Sequence, residues 1–207
     1  MGLYERYLLP RLIHLACGME PIMEQRRLIV PRASGEVLEI GAGSGLNFAS
    51  YDRQRVHRLW ALEPSAEMVE LARRKGRIDG LRCDFVEAGA EEIPLADASV
   101  DTVVLTYTLC TIPRPEPALL EMRRVLRPGG RLLFCEHGRA PDVGVRRWQR
   151  RIEPLWKRLA GGCHLTRDAP QLLREAGFDL AELEHGYLPG LRAMTFNTWG
   201  EARPAVA

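Results

Sequence analysis

The sequence predicts an α/β fold: a mostly parallel sheet with helices on both faces. Three observations predict it. Short apolar runs alternate with amphipathic helical stretches along most of the chain, the pattern of strands joined by helical crossovers. One run, Glu36-Val37-Leu38-Glu39-Ile40, leads directly into Gly41-Ala42-Gly43-Ser44-Gly45. About 20 residues further on, a second run, Arg58-Leu59-Trp60-Ala61-Leu62, ends in Glu63-Pro64.

The elements follow in order. Leu8, Leu9, Leu12, Ile13, Leu15 and Ala16 form a helical stripe, with Tyr4 and Tyr7 before it and Arg6, Arg11, Arg26 and Arg27 beside it. Pro21 opens a second turn or helix carrying Ile22 and Met23. Strand one is Val37 to Ile40, and a helix is expected from about Leu46. Strand two is Leu59 to Leu62. Ser65 caps a helix whose apolar face is Met68, Val69, Leu71 and Ala72. Strand three lies near Asp84 to Val86 and strand four at Thr102 to Leu105. Pro113, Pro115 and Pro117 mark the loop before the next helix. Strand five is Arg131 to Cys135. A helix is expected over Val143 to Leu159, and another from Thr166 or Asp168 to Gly177. Strands near Leu180 to His185 and Arg192 to Trp199 complete seven.

The chain has 207 residues, which suits one α/β domain. Residues 1–33 read as N-terminal helices that either pack on the sheet as core or cover a pocket as a lid, 34–140 as the ligand-binding half, and 141–207 as the remaining helices with the last two strands. The net charge of +2 carries no nucleic-acid footprint. Arg146-Arg147-Trp148-Gln149-Arg150-Arg151 and Lys157-Arg158 form a local basic run. It reads first as a solvated helix face, with an anionic membrane surface or anionic substrate as the alternatives. There is no cleavable signal peptide and no apolar run of about 18 residues. Five cysteines without a scaffold-like spacing argue against disulfides. A cytoplasmic protein is expected, with peripheral membrane contact through the N-terminal helices and Arg146–Arg158 as the variant reading. The oligomeric state is left open.

Glycines after strand one let the backbone turn sharply and approach a ligand. A carboxylate ending strand two can accept from both hydroxyls of a ribose. Together they point to an adenosine-containing cofactor at the carboxyl ends of the strands. Dinucleotide sites use G-x-G-x-x-G, but position 46 is Leu. Glu39, two residues before the first glycine, is awkward for a pyrophosphate and suits a cationic amino-acid moiety.

This E-x-G-x-G-x-G pattern resembles motif I of the class I S-adenosylmethionine-dependent methyltransferases. Ser99-Val100-Asp101-Thr102-Val103-Val104-Leu105-Thr106-Tyr107 resembles their fourth strand, and Leu119 to Phe134, with Arg127-Pro128-Gly129-Gly130, their helix, turn and fifth strand. The resemblance implies a Rossmann-like, seven-stranded, mostly parallel sheet, with S-adenosylmethionine as donor and S-adenosylhomocysteine as product. Gly41, Ala42, Gly43 and Gly45 should pass beneath the methionine part, and Glu39 should lie near its ammonium. Leu46 and Asn47 should open a helix whose free N–H groups meet its carboxylate. Glu63 should take the ribose, with Pro64 and Met68 on the adenine side. Relatives carry Gly-Asp-Ala after strand three. Here Ala88-Gly89-Ala90-Glu91 stands there, so the backbone at Gly89 and Ala90 is expected to read the adenine, with Glu91 as the alternative.

Methyl transfer from a sulfonium needs alignment, desolvation and sometimes a base. Candidates sit where strands four and five end: Thr106-Tyr107-Thr108-Leu109-Cys110 and Cys135-Glu136-His137-Gly138. Thr106 and Tyr107 should flank the cofactor. His137 is the candidate base, a hydrogen-bonded structural histidine being the plainer reading, and Glu136 an orienting group. Cys163-His164, near Cys135 and His137, matches no standard metal spacing, so no metal is expected. As a nucleophile pair it is poor, since adjacent side chains on an extended chain point apart.

The combination Cys135-Glu136-His137, Trp148, Trp156 and Gly162-Cys163-His164-Leu165-Thr166-Arg167 resembles the methyltransferase-like alkyl thiol methyltransferases over roughly residues 35–180. That implies a small thiol as methyl acceptor, with Cys110, His137, Cys163, His164 and Arg167 around it. The alternatives are a phospholipid amine, a quinone-precursor carbon, or a non-catalytic cofactor-binding protein.

Overall fold

The computed structural model describes residues 8–75 and 80–205. Tyr4, Arg6 and Tyr7 lie outside them. The order of elements is α1 (Leu9–Cys17), α2 (Glu20–Ile29), β1 (Gly35–Ile40), β2 (Val56–Leu62), α3 (Ala66–Lys75), β3 (Arg82–Val86), β4 (Val100–Thr106), α4 (Pro115–Val125), β5 (Leu126–His137), α5 (Val143–Leu159), α6 (Ala169–Glu175), β6 (Phe178–Tyr187), α7 (Arg192–Thr195) and β7 (Phe196–Pro204).

The seven strands form one sheet in the order β3-β2-β1-β4-β5-β7-β6. β1 to β5 run parallel, and β7 is antiparallel to both β5 and β6. Chain order reverses between β1 and β4, so the loops leaving these two strands diverge. A crevice opens at their carboxyl ends, where open α/β sheets bind ligands.

Alternate residues of the central strands face opposite sides, and each side has its own core. Leu38, Ile40, Val103, Leu105, Leu132 and Phe134 pack with Leu119, Met122 and Val125 of α4 and Leu173 of α6. Val37, Leu59, Ala61, Val104 and Leu133 pack on the other side with Ile29, Val30, Ala33, Phe48, Tyr51 and Ala72. Both faces are covered, which is why these strands read as continuous apolar runs.

Three expectations need correction. No helix starts at Leu46: a single 3₁₀ turn, Phe48–Ser50, stands there. The end of α2 and Val30–Ala33 already occupy that side of the sheet, and Asn47 and Tyr51 turn inward to Glu39. Pro115 and Pro117 belong to α4, with Pro115 at its start, where a missing N–H costs nothing. Arg192–Thr195 is a helical turn, and the last strand begins only at Phe196. α5 has the expected bounds, and Asp168 caps α6 by accepting from the Gln171 N–H at 3.2 Å. Among the described residues no helix is long and apolar enough to cross a membrane.

Candidate active site

A cavity of about 420 Å³ fills the crevice. Its floor is Gly41 to Ser44, one wall is Glu63 and Met68, and the opposite wall is Thr106, Tyr107 and Thr108. α1 roofs it with Leu9, Ile13, His14 and Cys17. His14 Nδ1 lies 2.6 Å from Ser44 Oγ, tying roof to floor.

The glycines are there for two reasons. Gly41, Gly43 and Gly45 have φ of 64°, 55° and 77°, a conformation that side chains with a Cβ avoid. Space is also short: a Cβ on Gly41 would sit 2.3 Å from Thr108 Cγ2, and one on Gly45 2.8 Å from the Phe48 ring. The loop therefore lies tight against the end of β4.

Glu63 holds that loop. Its Oε2 accepts from the Gly43 N–H at 2.9 Å and its Oε1 from the Ser65 N–H at 3.0 Å. Burial pushes its pKa up, and these two N–H groups pull it down. Ser65 Oγ accepts from the Met68 N–H at 3.2 Å, capping α3 and setting Met68 on the cavity wall.

Glu39 is not on the cavity wall. It lies behind the glycine loop, accepting from Asn47 Nδ2 at 3.0 Å and from the Tyr51 hydroxyl at 2.8 Å. Burial pushes it up to about 7. Asn47 is wholly buried and opens no helix, so its expected N–H contribution to a carboxylate is lost with that helix. Gly45, Pro64, Gly89 and Ala90 likewise fall outside the wall. Ala90 is core, and Glu91 Oε1 accepts from the Arg114 N–H at 3.3 Å.

Sequence reasoning missed Arg26, which it grouped with exposed basic residues. Arg26 is 5 % exposed and lines the cavity. Its Nη1 donates to Asn47 Oδ1 at 2.8 Å and Thr106 Oγ1 at 2.7 Å, and its guanidinium lies 5.1 Å from the Tyr107 ring centroid. Its Nε has no partner. The guanidinium also acts on the Cys17 thiol and, through its charge, on the buried carboxyls of Glu39 and Glu136, but none of its printed hydrogen bonds goes to a carboxylate. The signal was there: Ile22, Arg26 and Ile29 share one helical face, so the arginine interrupts an apolar stripe.

A second group adjoins the cavity beyond Tyr107. Cys110, His137 and Cys163 come from the loop after β4, the end of β5 and the loop after α5. One ligand-capable atom from each lies within 4.8 Å of the other two. His137 Nε2 is 3.2 Å from Cys163 Sγ, which also accepts from the Trp156 indole N–H at 3.2 Å. The His164 N–H donates to the Cys110 carbonyl at 2.9 Å, holding the two cysteine segments together. Contact with Cys110 is the main cause pulling the Cys163 thiol down to about 4, against burial and with help from His137. Burial pulls His137 down, but Cys163 beside it outweighs this and leaves it raised. The Tyr107 ring stacks on His137, 6.5 Å between centroids and 16° between planes, and Tyr107 takes a left-handed φ of 52°. Cys17, on the cavity roof, is raised chiefly by burial and also by the charges of Cys163 and Glu136.

The remaining candidates shape this wall. Glu136 Oε1 accepts from the Thr108 N–H at 2.7 Å and the Leu109 N–H at 3.1 Å, its Oε2 has no partner, and burial pushes it up to about 7. Arg167 Nη1 donates to the carbonyls of Leu109 and, at 2.7 Å, Ile112. These two side chains clamp the loop after β4. His164 turns toward Glu153, 3.6 Å away, so it is His137 that meets Cys163. Cys135 is buried on the sheet and is not part of the group.

This crevice, with its glycine loop and the Glu63 carboxylate on a 3-2-1-4-5-7-6 sheet, is that of a class I methyltransferase fold. Residues 38–134 match the family described as Methyltransferase domain. The chain is 39 % identical over 158 residues to the thiol S-methyltransferase TMT1B of Homo sapiens, covering 73 % of this chain and 64 % of that protein. It is 36 % identical over 121 residues to a demethylmenaquinone methyltransferase of Clavibacter sepedonicus, covering 58 % and 49 %. The chain thus spans less than two thirds of these relatives' length. A solved structure of the Haloferax volcanii Trm112 activator with a putative methyltransferase superimposes with a TM-score of 0.71 at 19 % identity, over 98 % of this chain and 96 % of that one. That likeness shows the fold.

Proposed function

We propose that the chain is an S-adenosylmethionine-dependent methyltransferase whose acceptor is a small thiol. The observation that carries the thiol is the Cys163–His137 pair, one aromatic ring away from the cavity. The cavity residues fit the donor. Arg26 is a buried cation awaiting a carboxylate, Glu63 stands where a ribose would be read, and only glycine tolerates the approach at Gly41.

When bound, the donor supplies an electrophilic methyl group on a sulfonium. The protein's part is to align and to desolvate. Backbone at Gly41, Ala42 and Gly43 supports the methionine part, and Arg26 pairs with its carboxylate. Glu39 stiffens the loop from behind through Asn47 and Tyr51. Tyr107 flanks the reacting carbon. His137 favours the acceptor's thiolate, which is the nucleophilic form. The sulfur–methyl bond forms as the sulfonium carbon–sulfur bond breaks. The electron pair of the broken bond stays on the departing thioether, and the acceptor's proton is released to water.

The test is transfer of a labelled methyl group to a panel of thiols, amines, phenols and phospholipids, with His137→Ala and Glu63→Ala beside the unaltered protein. Thiol turnover that falls at least tenfold in His137→Ala supports the reading. No thiol turnover while cofactor still binds sinks it and turns the search to lipids and quinone precursors, demethylmenaquinone being the acceptor named for the Clavibacter relative.

The exposed apolar side chains of two helices favour peripheral membrane contact. Leu8, Leu12 and Leu15 are exposed along α1, and Trp148, Leu155 and Leu159 along α5, beside exposed Arg147, Arg151 and Arg158. Apolar side chains flanked by arginines suit an anionic bilayer surface. Co-sedimentation with anionic but not zwitterionic vesicles is expected, and equal or absent binding counts against it.

A further inference from the structure

We propose that Cys110 Sγ, His137 Nε2 and Cys163 Sγ bind one zinc ion and leave its fourth position to the sulfur of the acceptor. The site rests on geometry alone, and the use of the fourth position rests on the thiol reading above.

Tetrahedral zinc holds thiolate sulfurs at about 2.3 Å and imidazole nitrogen at about 2.0–2.1 Å. Ligand atoms around such an ion lie roughly 3.5–3.8 Å from one another by these lengths. The three atoms here fall within 4.8 Å of one another, and one pair is already at 3.2 Å. Closing the set needs the His137–Cys163 pair to open by a few tenths of an ångström and a pair near the 4.8 Å limit to close by at most about 1 Å. Two sulfurs and one imidazole are soft-to-borderline donors, the combination that selects zinc over magnesium or calcium. Two thiolates also neutralise the ion, so the buried site carries no net charge.

The surroundings support it. Metal-bound thiolates are oriented by donors outside the ligand set, and the Trp156 indole N–H is aimed at Cys163 Sγ. The backbone bond from His164 to Cys110 fixes the separation of the two sulfur-bearing segments. No fourth Cys, His, Asp or Glu of the described residues joins the group. Three protein ligands with an open position is the arrangement of zinc sites that work on a substrate, whereas structural sites are closed with four. The group lies beside the cavity: Tyr107 forms the cavity wall and stacks on His137, and Gly161, two residues before Cys163, also lines the cavity.

The step balances without a further reactant. A thiol entering the fourth position loses its proton to solvent and binds as thiolate. Its sulfur then forms the bond to the methyl group as the sulfonium carbon–sulfur bond breaks, that electron pair remaining on the departing sulfur. Zinc keeps its charge throughout. The product is a neutral thioether, a far weaker ligand, which leaves the site open again. The spacing 110, 137, 163 hid the site in the sequence because each ligand comes from a different crossover.

Cobalt(II) is the probe. The full-length protein, stripped with chelator under reducing conditions, is titrated with cobalt. A thiolate-to-cobalt charge-transfer band and tetrahedral ligand-field bands are expected, saturating at one ion per chain and displaced by zinc. The bands should vanish in Cys163→Ser and Cys110→Ser and persist in Cys83→Ser, outside the group. Binding of S-adenosylhomocysteine checks that each variant is folded. If the ligand variants fail to fold, alkylation of the unaltered protein decides: zinc must protect Cys110 and Cys163 selectively, as read by mass spectrometry. No band, a band that survives Cys163→Ser in folded protein, or no selective protection overturns the site. The two readings fail separately. Full thiol turnover by metal-free enzyme sinks the zinc and leaves the thiol. A cobalt spectrum unmoved by thiols, with no thiol turnover, sinks the acceptor and leaves the metal.

Discussion

Arg26 Nη1 donates to Thr106 Oγ1 across 2.7 Å, joining the second helix to the carboxyl end of the fourth strand. The same nitrogen reaches Asn47, so one cation gathers three elements around the cavity. Arg26→Met should weaken binding of S-adenosylhomocysteine by roughly tenfold to a hundredfold, the worth of a charged hydrogen bond at about 1.5–3 kcal/mol. Its thermal midpoint in the ligand-free protein should fall, because buried Asn47 Oδ1 loses its charged donor. Calorimetric titration and a melting curve check both. Unchanged affinity would show that Arg26 serves the fold alone.

Glu63 spends both oxygens on backbone, at Gly43 and Ser65. Glu63→Ala should therefore act twice, removing the ribose acceptor and freeing the glycine loop. Affinity for the cofactor should fall about tenfold or more, each charge-assisted bond being worth about 1.5–3 kcal/mol. Glu63→Gln keeps an acceptor for one N–H and should fall between. Equilibrium binding of the labelled donor ranks the three proteins.

Glu39 gives a pH signature. Its pKa is about 7 in the folded chain against the ordinary 4.5. Between these values the folded state holds a proton that the unfolded state has lost, so stability falls as pH rises through this window. Arg26, Tyr51 and Asn47 favour the ionised form and Glu63 opposes it, all outweighed by burial. Glu39→Gln should gain on the unaltered protein by about 3 kcal/mol between pH 4.5 and pH 8, an order-of-magnitude figure from the shift. Glu136 is present in both proteins and drops out of the difference. Urea melts of ligand-free protein at the two pH values measure it, and parallel stabilities would sink the assignment.

Arg167 holds the carbonyls of Leu109 and Ile112. Arg167→Leu should cost about 2 kcal/mol, since two carbonyls lose a charged donor. The midpoint should drop by about 4–8 °C for a chain of this size. The loop after β4 should also gain hydrogen exchange at Leu109 to Ile112, which a general loss of stability would not confine there.

Much of the fold was legible because short continuous apolar runs and glycine loops are local. Gly41, Gly43 and Glu63 needed only their spacing, and α5 has the bounds expected of it. The missing helix after β1 was not legible. Leu46 to Tyr51 is compatible with helix, and what prevents it is α2, packed on the same side of the sheet from before β1. Glu39 was placed by analogy near the ligand, but its partner Tyr51 takes it behind the loop. Arg26 looked like surface charge until its neighbours on the helix face were counted. The meeting of Cys163 with His137 depends on two loops returning to one point, which no local pattern encodes.

The 3₁₀ turn that replaces a helix after β1 sets how small the protein can be made. Ile29, Val30 and Ala33 cover the sheet where that helix would have lain. A fragment trimmed to the family-matched stretch, residues 38–134, would leave Val37's neighbours Leu59 and Val104 facing water on that side. The unit of inheritance and the unit of folding are therefore not the same piece of chain. An expressible fragment must begin upstream of Glu20, and a fusion partner joined at Ala33 would be expected to yield aggregate.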